Sequence, residues 1–424
     1  VCGNREFYDT LFEFSIKGTV LEAKYSVKIM NKMEEEIKGV YFVKMVHHVW
    51  PLNIGSSFFN THLSALCSLF LCDLISVDHI KEELSEFLAS EVLLKNRLKE
   101  EENEEAKLST WISDEDLNYS IENTNCYSKI LAMKLLTNWL ISISDYPTAE
   151  VEQIAKPILS MLSSFINRGG EIVSTNDTPP RFASRLRVHA GIELTKLSQY
   201  PSYETLIDQR RINRLILLVQ DVEMNVRKLF LEKLKKKIIQ NRVSKKFLPL
   251  IFFTAFEPEK SLKLTTTTWI TALFTKRASS SNTEALIFEK SYIRLLHMLG
   301  NHPEFKELFG SYTEVDDSQE GTKHDAFKEM SMFAITHIVY ALSLISTFDN
   351  ISLLYYLSQR IKQFEAIPTI EGEHPDTAIY FISDLSQAAL KYIGKVKNWN
   401  ISIWPNQLSL PSCLLYTSDA ADDM

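Results

Sequence analysis

Three amphipathic helical patterns run back to back between Ser184 and Lys237, and they limit the folds open to the chain more than any other feature. In the first, Leu186, Ala190, Leu194 and Leu197 share one face. Ile212, Leu215, Ile216 and Val219 do so in the second, and Val226, Leu229, Phe230 and Leu234 in the third. Only a Tyr-Pro turn and the segment Asp221–Asn225 separate them. Asp221 stands five residues before Val226, and Arg227 follows at once. An acid therefore sits at the mouth of a helix whose first buried position is β-branched, with a cation beside it.

This is the wiring of a HEAT-type hairpin, in which the acid caps one helix and the arginine bridges to the next repeat. The predicted fold class is all-α, a HEAT-repeat α-solenoid built as a superhelical array of helical hairpins. Such arrays hold partners far more often than they perform chemistry. With 12 Gly and 13 Pro in 424 residues, turns and phosphate-cradling loops are too few for a hairpin-rich or nucleotide-binding design. At 45% hydrophobic and 24% charged, the chain can bury a long core, and a quasi-one-dimensional array needs no domain boundary to do so. A net charge of −8 argues against general attraction to nucleic acid. No apolar run is long enough to span a bilayer; Ser331–Phe348 comes nearest, but His337 and several hydroxyls interrupt it, and it reads as a buried helix.

Val1 is not a start methionine, and Phe7–Phe14 already carries a helical pattern, so no leader is readable from such a beginning. Cys413–Met424 resembles the in-frame translation of a sequencing adapter, and the chain reads as an internal piece cut near Ser412. The remaining cysteines, Cys2, Cys67, Cys72 and Cys126, fit neither a zinc site nor a disulfide framework, which points to a reducing compartment.

Helical hairpins recur about every forty residues, with Ser184, Glu223 and Thr265 expected to open successive helices. Near the start, Ala23, Val27 and Met30 face inward. The expected organisation is repeats over 1–168 with an acidic loop at 100–105, an exposed connection over 169–183, repeats of the same array over 184–412, and an unstructured 413–424. Ser279–Asn282 and Asp316–His324 read as further polar connections. Charge is sorted along this axis: Lys81–Asp116 holds five basic and twelve acidic residues, Glu204–Lys246 twelve basic and five acidic. A basic face of that kind suits an acidic peptide, a polyphosphate or the DNA backbone. The plainer reading of Lys233–Lys237 is a solvated face whose stems cover apolar surface. Arg210, Arg211 and Arg214 stand at a helix start, where the dipole disfavours cations, so a role outside local helix stability would explain them.

Catalytic and metal-binding constellations are absent. His47–His48 has no ligand-type neighbours, and no HExxH, GxSxG, Walker or GxGxxG pattern occurs. The chain is therefore not expected to be an enzyme, to use a small-molecule substrate, or to contact a membrane.

A run of segments resembles the middle HEAT region of the Pds-five cohesin regulators, named for precocious dissociation of sisters. They are GTVLEAKYSVKIM from Gly18, LSTWISDEDLN from Leu108, KILAMKLLTNWL from Lys129, SRLRVHAGIELTKLSQYPSYETLI from Ser184 and DVEMNVRKLFLEKL from Asp221. KKFLPLIFFTAFEPEKSLK from Lys245, YIRLLHMLGNHPEF from Tyr292 and IYFISDLSQAAL from Ile379 continue the series in the same order. The wording is similar to that of a fungal member. The resemblance implies a non-enzymatic, nuclear, chromosome-associated regulator of sister chromatid cohesion. Such a protein binds the kleisin subunit of cohesin and cooperates with the Wapl-type releasing factor. The resemblance also implies inositol hexakisphosphate as a ligand facing basic helices, with no residues assigned to it. By the same resemblance Tyr203 matches a family tyrosine; it follows a Pro-containing turn where its ring could remain exposed.

Tyr203, Glu204, Arg210 and Arg214 are accordingly expected to contact the kleisin, since a segment laid on a helical array needs aromatic anchors flanked by charge. Arg211, Arg227, Lys228, Lys235 and Lys236 are expected to form the basic surface for a polyphosphate or for weak DNA contact. Two alternatives stand beside this: a generic HEAT scaffold of the phosphatase, transport or condensin type, and a nucleic-acid-binding array acting through Arg210–Lys246.

Overall fold

The computed structural model describes residues 5–97, 108–119, 124–173, 178–278, 286–315, 320–363, 365–366, 377–405 and 415–416. The acidic segment 100–105 and the serine-rich connection 279–282 lie outside the described residues, as does most of 413–424. Within these limits the protein is all-α, of the HEAT-repeat class. It divides into two compact units: residues 1–208 with 221–243, and residues 209–220 with 244–424.

In the first unit the main helices are α1 (Arg5–Lys17), α2 (Val20–Met30), α3 (Glu35–Val49), α4 (Phe59–Cys72), α5 (Thr124–Ser142), α6 (Thr148–Asn167), α7 (Pro180–Leu197) and α8 (Met224–Ile239). A capping box opens α2: Thr19 accepts from the Glu22 amide and the Glu22 carboxylate accepts from the Thr19 amide, so two orphan donors are satisfied at once. Its inward stripe of Ala23, Val27 and Met30 is wholly buried, as the sequence pattern requires. α2 packs on α4, α4 on α5, α5 on α7 and α7 on α8, so these helices form one continuous layer, with α6 packed across α5 and α7.

α7 begins at Pro180, inside the span 169–183 expected to be an exposed connection, and Ser184 lies within the helix rather than opening it. Pro180 sits at the first helical position, where its missing N–H costs nothing. Phe182 and Ala183 are already buried. α6 ends through Gly169 and Gly170, both with positive φ, and a Cβ on Gly170 would meet the Ala183 carbonyl of α7 at 2.3 Å.

Asp221, expected to cap a helix, also bridges two helices. Its carboxylate takes Arg187 of α7 in a two-point pair at 2.6 and 2.8 Å and also accepts from the Glu223 amide. Arg227 Nη1 donates to the Asp221 and Val222 carbonyls. Glu223 caps α8 by accepting from the Asn225 amide.

In the second unit the middle pattern of the opening stretch breaks at Leu215 into two short helices, Gln209–Arg214 and Ile216–Val219. All four of its apolar positions are nevertheless buried. A buried run of 3-10 turns spans Lys245–Phe256 and encloses Pro249. α9 (Lys260–Ala278), α10 (Ile287–Gly300), α11 (Pro303–Glu314), α12 (Glu320–Ile345), α13 (Ile351–Arg360) and α14 (Ala378–Lys397) follow. Thr265 falls inside α9, five residues after its start. Two two-residue strands, β1 (Glu365–Ala366) and β2 (Leu415–Tyr416), pair antiparallel. Leu415 and Tyr416, the described part of the tail expected to lack structure, are thus the partners of β1. Among the described residues no helix is long and apolar enough to cross a membrane.

At the core of the second unit Gln220 links two buried histidines. His302 lies 2.9 Å from the Gln220 side-chain oxygen, and His337 lies 3.4 Å from its nitrogen while its own Nδ1 meets the Phe333 carbonyl at 3.0 Å. Phe253 and Phe333 pack against both rings.

Candidate functional site

Tyr203, expected to present an exposed ring, is fully buried. It closes the 3-10 turn Pro201–Tyr203, and its hydroxyl donates to the Leu140 carbonyl of α5. A tyrosine can fill core volume once its hydroxyl has an acceptor, and here the Leu140 carbonyl near the end of α5, which also accepts from the Ile143 amide at 3.3 Å, supplies one. Burial also pushes the phenol pKa up, keeping the hydroxyl a donor. Tyr203 therefore offers no surface for a partner.

Glu204, Arg210 and Arg214 are exposed and Arg211 is half-buried. Glu204 belongs to the first unit and the three arginines to the second. Glu204, Arg210 and Arg211 each already have a polar or electrostatic neighbour. Arg227, expected on the basic surface, is 7% exposed because its guanidinium is spent on the two carbonyls at the mouth of α8. Lys228 and Lys236 are exposed and Lys235 is half-buried.

The stronger concentration of charge lies elsewhere, on the layer α2–α4–α5–α7–α8. Lys134 of α5, Lys196 of α7 and Lys237 of α8 all fall within electrostatic range of a single carboxylate, Glu193 of α7. Lys24 of α2 acts on Lys134, and Lys233 on Lys237. Three ammonium groups from three helices thus share one acid whose side chain is 5% exposed, with Lys24 and Lys233 acting on two of them.

Their partners are mostly neutral. Lys237 donates to the Ile192 carbonyl at 2.9 Å and to the Thr195 hydroxyl at 3.1 Å. Lys196 lies 2.6 Å from the Asn138 side-chain oxygen but 3.5 Å from Glu193. Asn138 in turn donates its amide N–H to the Cys67 carbonyl of α4 at 2.7 Å. A polar chain therefore crosses α4, α5, α7 and α8 and holds the amines in place. Burial lowers the pKa of Lys134, and it lowers that of Lys237 to about 8. Both shifts express one fact: the site desolvates cations without supplying enough negative charge to balance them. No group of three or more potential metal ligands occurs among the described residues.

Lys134 and Lys196 escaped the reading of the sequence because each stands alone in an apolar helical run, KILAMKLLTNWL and HAGIELTKLSQY. A lysine placed among apolar helix positions is itself the available signal, since such a position draws the side chain into partial burial.

A protein-family model described as sister chromatid cohesion protein PDS5 matches residues 3–416. Among curated relatives, sister chromatid cohesion protein PDS5 of Saccharomyces cerevisiae is 31% identical over an alignment covering 96% of this chain and 32% of the relative. The protein of the same name from Schizosaccharomyces pombe is 27% identical, covering 98% and 31%. PDS5 homolog A of Homo sapiens is 24% identical over 53% of the chain and 16% of its own length. The chain spans about a third of the length of the two fungal relatives.

Proposed function

The chain belongs to the sister chromatid cohesion protein PDS5 family, and from that membership we propose that it is a non-enzymatic scaffold regulating sister chromatid cohesion. In this reading it binds the kleisin subunit of cohesin in the nucleus, on chromosomes, and works with a Wapl-type releasing factor. The observation that carries the docking surface is the lysine cluster around Glu193. It replaces Tyr203 as the candidate contact. A partner segment carrying carboxylates would complete the missing negative charge and displace little water from Lys134 and Lys237, which are already largely desolvated.

The test is retention of the N-terminal part of the kleisin by the full chain at moderate salt, where nonspecific attraction is screened. Substituting Lys134 and Lys196 by Met is expected to abolish retention while the melting temperature holds or rises, because buried amines are removed. Unchanged retention by the double variant would overturn this placement of the surface.

A second reading is favoured by the depth of Lys134 and Lys237, which suits a compact polyanion better than a stiff duplex. Inositol hexakisphosphate, the family ligand expected from the sequence, would have the charge density to engage several of these amines at once. Calorimetric titration tests it: binding lost in the same Lys134 and Lys196 variants supports the assignment, and binding unaffected by them refutes it. Weak DNA contact through Lys228, Lys235 and Lys236 would instead show a log–log salt slope of roughly −0.9 for each phosphate neutralised.

A further inference from the structure

Resting on the docking reading above, we propose that Asn138 is a positioning residue that keeps the Lys196 charge available to an anionic partner by holding its amine away from Glu193. The geometry states the competition directly. Lys196 Nζ has two acceptors within reach, the neutral Asn138 oxygen at 2.6 Å and the Glu193 carboxylate at 3.5 Å. Left to electrostatics alone, the ammonium would close on the carboxylate, since an ion pair at hydrogen-bond distance in a half-buried setting is stronger than a bond to an amide. It does not, because the amide is itself locked. Asn138 is buried and donates through Nδ2 to the Cys67 carbonyl at 2.7 Å, with the Cys67 sulfur 3.2 Å away. With its nitrogen anchored on α4, its oxygen can only face α7. That orientation follows from the hydrogen-bond network: turned the other way, the amide would bring its oxygen against the Cys67 carbonyl and its N–H₂ against an ammonium.

An ammonium drawn back from a carboxylate leaves more of its field to an outside anion than one in close contact with it. Asn138 thus decides how tightly the 3.5 Å pair between Lys196 and Glu193 closes, and so how much of the Lys196 field is left for an outside anion. The same reasoning makes Glu193 the internal competitor of any acidic partner. Because Asn138 acts through Lys196 and reaches the partner through it alone, its loss is expected to be repaired by removing the competitor.

The experiment is a double-mutant cycle on binding of the N-terminal part of the kleisin to the full chain, with melting temperature recorded for each variant. Asn138→Ala is expected to weaken binding about tenfold, the scale of one charge-assisted contact. Glu193→Gln is expected to strengthen binding about twofold in the wild type but about tenfold in the Asn138→Ala background, while the melting temperature of Asn138→Ala is not restored. Equal gains in both backgrounds would overturn the proposal, leaving Asn138 a purely structural residue. Should Asn138→Ala fail to fold, Lys196→Met in the wild type decides the matter. A loss of about tenfold supports a charge held free, and an unchanged affinity beside a weakened Lys134→Met variant overturns it. If Lys134→Met, Lys196→Met and Lys237→Met all bind as the wild type does, the docking reading itself fails, and this inference with it.

Discussion

Replacing Tyr203 by alanine separates a core residue from a contact residue more sharply than any other single change. Its ring is fully buried between the Pro201 turn and α5, and its hydroxyl donates to the Leu140 carbonyl. Truncating a buried aromatic side chain costs about 3–5 kcal/mol through lost burial and the cavity left behind. Loss of the hydroxyl's hydrogen bond adds about 0.5–1.5 kcal/mol, since the Leu140 carbonyl keeps the Ile143 amide as a donor. A total near 5 kcal/mol would lower the melting temperature of a unit of this size by roughly 10–20 °C. Tyr203→Phe isolates the hydroxyl and should cost only about 0.5–1.5 kcal/mol. Urea denaturation followed by circular dichroism measures both, and the ratio of the two losses divides the effect between ring and hydroxyl. Kleisin retention should fall only in proportion to the unfolded fraction, and should recover at low temperature. A Tyr203→Ala variant that melts within about 2 °C of the wild type while losing its partner would refute the burial argument and return Tyr203 to the surface.

Three further outcomes follow from the same geometry. Burial lowers the His302 and His337 pKa values to about 4, so both are neutral in the fold. The stability they preserve is intact above the unfolded value near 6.5 and is lost as pH falls toward 4. Urea unfolding at pH 5 should show each costing about 2 kcal/mol relative to pH 7, and His337→Phe should roughly halve that pH dependence. Arg187→Met strands the Asp221 carboxylate, whose side chain is 6% exposed, and should cost about 3–5 kcal/mol, much of it recovered on adding Asp221→Asn. With the Lys237 amine near 8, anisotropy measurements at fixed ionic strength should find kleisin affinity falling between pH 7 and 9. Lys237→Met should flatten most of that dependence, and an unaltered pH profile would exclude Lys237 from the surface.

Much of the fold was legible because helix burial is written in local periodicity. Leu186, Ala190, Leu194 and Leu197 lie on the buried face of α7, and Val226, Phe230 and Leu234 on that of α8, where their spacing put them. Helix starts were less legible. Ser184 and Thr265 lie inside helices whose beginnings depend on Pro180 at a first turn and on the exit from the 3-10 run, neither of which the apolar stripe records. The functional surface was the least legible part. Exposure was inferred for Tyr203 from the turn before it, yet burial there depends on the Leu140 carbonyl, 63 residues earlier in the chain.

The sequence alone determined the class of the protein: period, apolar stripe, scarce glycine and the ordered series of family segments all act within a helix or between neighbouring ones. Which charges are free was decided only by tertiary structure. Arg227 and Lys196 are each one of several basic residues on an amphipathic helix, and nothing local tells them apart. Packing turns Arg227 onto two backbone carbonyls and sets Lys196 closer to a neutral amide than to its carboxylate neighbour. Electrostatic balance is a sum over everything within a few ångströms in space, and the groups that set it here come from four helices lying far apart along the chain.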